Sequence, residues 1–238
     1  MTPEQAAHET RDAILAGGGG FMSAPETYTQ GAALGFDGID FYVAGRGGVL
    51  GEAPADVVAA AFVFLAPTVV ATSWERSAAV MPRRRAAEAF AECAHTWARA
   101  HLQDESEHTR LAALLERIVS GAPVAGAPLF AGWRLLPEPA DARALIVHRL
   151  NGLRELRGAL HAAAVITVGL TPFEALAVRS PHRIPVAGWT DEVPDAEPLR
   201  DRWTLAEART DRIFGRHLAR LDEGERDDLV TLLKALAR

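Results

Sequence analysis

FDGIDFYVAGRGGVLGEAPADVVAAAFVFLAPTVVA, residues 36–71, is the stretch around which the chain reads as organised. It passes from an aromatic segment through a glycine turn carrying Arg46 into the most apolar run of the sequence. From Val57 to Ala71 no charge appears. That run is too short for a membrane span, and Pro67 should kink or end a helix near Ala66. A helix that is apolar all round needs neighbours on more than one face, and Phe62, Phe64 and Leu65 would fill volume there. Pro54 suits the first position of this helix. The class that follows is mainly α.

Arg46 is the one charge in the glycine turn. Its neighbours Gly45, Gly47 and Gly48 leave the guanidinium free to reach inward. There it would meet a backbone carbonyl, Asp40 or an anionic ligand, and the sequence leaves these readings open. The glycine spacing is not a dinucleotide fingerprint, and no P-loop lysine follows.

At 238 residues the chain can hold a substantial core. The composition suggests an N-terminal helical unit, 1–120, and a second unit, 121–238, divided at the SGAPVAGAP break. No basic segment followed by an apolar run opens the chain, so no signal peptide and a cytoplasmic location are expected. A single cysteine, Cys93, excludes an internal disulfide and reads as packing. The net charge is -6, with 9 Lys/Arg against 15 Asp/Glu in residues 1–120 and 16 against 16 in the rest. Such bulk electrostatics argue against a nucleic-acid partner, although local basic patches stay open. No membrane partner is expected, and a homodimer is open.

The remaining chain reads as helices punctuated by proline and glycine. Thr2, Asp141, Thr204 and Asp222 are N-cap candidates, and Thr171-Pro172-x-Glu174 forms a capping box. Gly17–Gly20 reads as a loop, Arg83–Arg85 as side chains splayed into solvent, 181–198 as mostly loop, and Trp203–Leu205 as a brief strand. His95, His101 and His108, with Glu105 near His101, lack the fixed spacing of a metal site, so no metal is expected. No cofactor is expected either. A lone histidine suffices for an axial haem ligand, but there is no C-x-x-C-H attachment motif.

The candidate site residues are Arg46, Trp74, Trp133, Arg154, Arg157 and His161. Arg154, Arg157 and His161 fall at i, i+3 and i+7 and share a helix face. Nearby arginines would lower the pKa of His161, the one acid–base candidate. The bland alternative is a set of interhelix salt bridges with one structural histidine.

Two resemblances follow from particular stretches. LTPFEALAV (170–178), WTLAEARTDRIFGRHLARL (203–221) and DEGERDDLVTLLKAL (222–236) resemble the end of a MarR-type winged helix-turn-helix protein. Between Val178 and Trp203, however, there is no clean recognition helix and no basic wing tip. FYVAGRGGVLG (41–51), FVFLAP (62–67), GAPLFAGWRLLP (126–137), RLNGLRELRGALHAAAVITVGLTPFEAL (149–176) and GWTDE (188–192) resemble an uncharacterised actinobacterial helix-turn-helix-like family. Together these imply a mainly α fold of two degenerate winged-helix-like units packed together and enclosing a pocket. The function expected is binding of a hydrophobic or aromatic anionic small molecule, with a tailoring activity open. The alternatives are a ligand-responsive MarR-like transcription regulator and a partner-binding module without a ligand.

Overall fold

The computed structural model describes residues 1–103 and 107–236; Glu105, weighed above beside His101, lies outside them. Its first helix, α1 (Pro3–Gly19), starts with a capping box in which Thr2 accepts from the Gln5 backbone. It then runs into the glycine tract instead of stopping before it. The reason is packing. A Cβ on Gly18 would sit 2.6 Å from the backbone oxygen of Leu150, so a side chain there would hold α1 off the helix it lies against. A 3-10 turn, Gly20–Ser23, leads into α2 (Pro25–Ala33) and α3 (Gly38–Gly47).

The apolar run is not one helix. It forms α4 (Ala55–Phe62) and α5 (Pro67–Ser77), separated at Val63, whose φ of 57° breaks the helical path. Pro54 precedes α4 as its cap, and Pro67 occupies the first turn of α5. Two short helices can each bury a different face, which answers the all-round apolar pattern.

Next comes α6 (Arg83–His101), whose first arginine is buried and lies 3.7 Å from the Trp74 ring. Only Arg84 and Arg85 turn outward, both to Glu88. Three helices follow: α7 (His108–Gly121), α8 (Pro128–Trp133) and the 26-residue α9 (Ala142–Thr167), capped by Asp141. After α10 (Pro172–Arg179), a 3-10 turn (Pro181–Arg183) and α11 (Ile184–Ala187) occupy what the sequence suggested was loop. The chain ends with α12 (Arg200–Leu218) and α13 (Glu223–Leu236), the latter capped by Asp222. The supposed strand at Trp203–Leu205 is the second turn of α12.

Among the described residues there is no strand. A winged-helix unit needs a two-stranded wing, so the expectation of two degenerate winged-helix units, and with it the MarR-type resemblance, is overturned. What stands is a mainly α-helical protein. α9 is its axis. One apolar cluster joins Ile14 of α1, Leu115 of α7, Leu150 and Leu153 of α9, Phe214 of α12 and Leu229 of α13. Residues from both sides of position 120 thus share one core. A second cluster gathers Phe21, Phe41, Phe90 and Trp133. Among the described residues no single helix is long and apolar enough to cross a membrane.

Candidate nucleic-acid interface and the charge network beneath it

One flank of α9 carries Glu155, which is 3% exposed. Arg46 meets it with both ends of its fork, Nε to Oε1 at 2.7 Å and Nη2 to Oε2 at 2.8 Å. Arg154 adds a bond at 2.8 Å to the same Oε1. The remaining Arg46 nitrogen donates to the Tyr42 hydroxyl, and the Phe62 ring lies 4.6 Å from the guanidinium. Burial works against the carboxylate charge, but Arg46 and Arg154 outweigh it and hold Glu155 below the ordinary carboxylate range. The partner of Arg46 is therefore neither a carbonyl nor Asp40, which instead pairs with Arg76.

The other flank carries Arg157, 3% exposed, which donates from Nη2 to Glu207 at 2.8 Å and to Asp211 at 3.2 Å. His8 and Arg11 of α1 meet the same two carboxylates. His161 places Nδ1 3.0 Å from Thr210 Oγ1. The Thr210 hydroxyl hydrogen goes to the Ala206 carbonyl, so Nδ1 of His161 must be the donor and Nε2 the unprotonated nitrogen. Nε2 faces Glu207 at 3.7 Å, between the rings of Phe64 and Trp203. Burial pushes the imidazole down to about 4, the nearby Glu207 pulling the other way and Arg157 adding to the fall. His161 is neutral at pH 7.

Arg154, Arg157 and His161 thus share a helix, but their bonds run to two separate networks. The tryptophans go elsewhere. Trp133 is buried in the second core and donates to the His148 carbonyl at 2.9 Å. Trp74 donates to the Ala53 carbonyl and supports Arg83. The rings expected to wall a ligand pocket are core pieces, and this removes the support for a hydrophobic or aromatic anion held among them. The sequence-adjacent histidines also diverge. His95 meets His148 at 3.1 Å, His101 binds Glu26, and His108 is buried on α7. A cleft of ≈ 660 Å³ does open between α1 and α12, lined by His8, Arg11, Trp203, Glu207 and Asp211 among others, and its carboxylates outnumber its cations.

At the end of α9 the chain axis turns by 109° into α10 across residues 168–171. Every step of that turn has a local cause. The Gly169 N–H bonds to the Ile166 carbonyl and the Leu170 N–H to the Val165 carbonyl, which is a Schellman closure. It needs a left-handed residue, and Gly169 supplies φ 77°. Leu170 packs with Val165 in one apolar cluster. Thr171 then caps α10, Pro172 takes its first turn, and Glu174 returns to the Thr171 N–H at 2.7 Å. Two helices at such an angle across a short glycine-containing turn are the geometry of a helix-turn-helix. The sequence shows the cap; the Gly169-Leu170 closure before it was the missed signal.

From the last residue of α10 onward the chain exposes Arg179, His182, Arg183 and Val186, while Phe173 of α10 is stacked under Trp189 at 5.1 Å. The short helical segment from Pro181 was missed because two prolines, Pro181 and Pro185, and Gly188 lie within and beside it. No curated protein and no solved structure matches the chain. The expectation from bulk charge that there is no nucleic-acid partner is overturned by the family assignment, since a helix-turn-helix classification implies nucleic-acid interaction. The family model matches residues 19–238, nearly the whole chain, and the protein belongs to the Helix-turn-helix family.

Proposed function

We propose that the protein is a transcription regulator that docks on duplex DNA through residues 168–187. The observation carrying this reading is the 109° turn between α9 and α10, locked from both sides by the Gly169 closure and the Thr171 capping box. The exposed Arg179, His182 and Arg183 follow directly, and arginine is the side chain best suited to guanine edges and phosphates. Enrichment of a random duplex library on the purified protein tests it. A recurring sequence should emerge, and Arg179→Ala with Arg183→Ala should abolish the enrichment. Recovery of unenriched DNA from the wild type would reject site-specific regulation.

Control by a small molecule is the finer part of the proposal. It is favoured by the cleft between α1 and α12, because α12 also buttresses the turn through Arg202, which donates to the Gly169 carbonyl at 2.8 Å. Native mass spectrometry of the gently purified protein would show a retained mass lost in Glu207→Gln.

A further inference from the structure

α12 places Arg202, Arg209, Arg212 and Arg216 on one stripe, with Leu205 in the gap. Steps of seven, three and four residues keep a helical face in register. All four are exposed, and no carboxylate among the described residues pairs with any of them. The acidic residues Glu207 and Asp211 lie on the opposite, inward flank, bonded to Arg157. The stripe also touches the helix-turn-helix itself. Arg202 donates to the Gly169 carbonyl, and Arg209 donates to the Thr167 carbonyl and hydroxyl at 3.2 Å. Each of these bonds uses Nη1 alone, so the outer nitrogens of both guanidinium groups remain available.

We propose that this stripe is a phosphate-contacting rail that holds the duplex backbone beside the α9–α10 turn. The proposal rests on the DNA-docking reading and names the partner surface it lacked. From Arg202 to Arg216 the rail is about 21 Å long at ~1.5 Å per residue. That matches about six base-pair steps at ~3.4 Å each. A row of exposed arginines without carboxylate partners fits a polyanion. It carries no sequence information, since phosphates position a protein and bases specify it.

The test is fluorescence anisotropy of a labelled, unselected duplex of about three helical turns, titrated over a salt series starting near 50 mM. Arg209→Gln/Arg212→Gln/Arg216→Gln should reduce the slope of log affinity against log salt by about 2.7, at ~0.9 per phosphate released. A matched triple on α6, Arg84→Gln/Arg85→Gln/Arg99→Gln, removes the same charge elsewhere and should leave the slope unchanged. Circular dichroism and the melting temperature confirm that each variant folds. Equal slopes for the two triples overturn the rail, as does a wild type that binds no duplex at low salt. Binding to phosphatidylserine vesicles without duplex binding overturns it in favour of a membrane surface. A reduced slope with no enriched sequence in the library experiment would keep the rail and reject site-specific docking. An enriched sequence with an unchanged slope would do the reverse.

Discussion

Removing Glu155 is the sharpest test of what holds the two halves of the chain together. Its carboxylate is 3% exposed and takes three charge-assisted bonds of 2.7–2.8 Å, two from Arg46 and one from Arg154. Glu155→Ala leaves Arg46, whose side chain is 11% exposed, with a buried charge and only the Tyr42 hydroxyl as partner. Breaking a buried pair by deleting one member costs about 3–5 kcal/mol, because the surviving charge stays desolvated. For a chain of this size each kcal/mol lowers Tm by roughly 2–4 °C, so the midpoint should fall by roughly 6–20 °C. The double variant Arg46→Met/Glu155→Leu removes both charges and should recover most of that loss. A buried ion pair is often replaceable by apolar side chains of similar volume. Urea unfolding of wild type, Arg46→Met, Glu155→Leu and the double variant gives the coupling energy directly. A Glu155→Ala loss under about 1 kcal/mol, the scale of an exposed pair, would refute the reasoning. So would additive single effects. Either would mean that water reaches the pair.

Further outcomes follow from other contacts. Gly169→Ala forces a Cβ into φ 77° and should cost about 1–2 kcal/mol in urea unfolding, while weakening duplex binding more than its stability loss explains. Gly18→Ala should cost about 1–3 kcal/mol, because its Cβ would meet the Leu150 carbonyl at 2.6 Å and force α1 away from α9. His148 is pushed by burial down to about 4, with His95 adding to the fall, so the unfolded chain binds its proton more readily between pH 6.5 and 4. Stability is therefore retained above pH 6.5 and falls on acidification through that window, by about 3 kcal/mol for this group. His148→Gln should flatten the melting-temperature profile between pH 7 and 5, and an unchanged profile would contradict the assignment.

Caps were legible because they are local. Thr2, Asp141, Thr171 and Asp222 each accept from a backbone N–H three residues on, and the residue types and spacing state that alone. Breaks that depend on what lies opposite were not legible. The glycine tract looked like a loop because nothing in it announces that the Leu150 carbonyl lies where a Cβ on Gly18 would be only 2.6 Å away. The apolar run looked like one helix because Val63 is a residue that seldom adopts positive φ. Pairing was legible only halfway. The sequence left a backbone carbonyl, Asp40 and an anionic ligand open as partners of Arg46, because the choice of Glu155 depends on α3 meeting α9, a contact 109 residues away in sequence. The same limit explains the tryptophans. Their size marked them as important, but it does not distinguish a core position from a pocket wall.

The charge argument failed for a reason that α12 makes explicit. Counting residues 121–238 gives 16 cations and 16 anions, which reads as neutral. On α12, however, Glu207 and Asp211 face inward and are compensated by Arg157, Arg11 and His8, while Arg202, Arg209, Arg212 and Arg216 face outward. An approaching polyanion responds to the outward set. At physiological salt the screening length is about 8 Å, whereas a chain of this length has a radius of gyration of about 18 Å. Carboxylates on distant faces are therefore screened from a phosphate resting against α12, and the total of -6 says little about that contact. The decisive quantity is the sign of exposed charge along one helical face. It was already present in the spacing R-x6-R-x2-R-x3-R from Arg202 to Arg216, provided the helix was recognised to begin before Trp203. Reading Trp203–Leu205 as a strand left Arg202 outside the helix that already carried Arg209, Arg212 and Arg216.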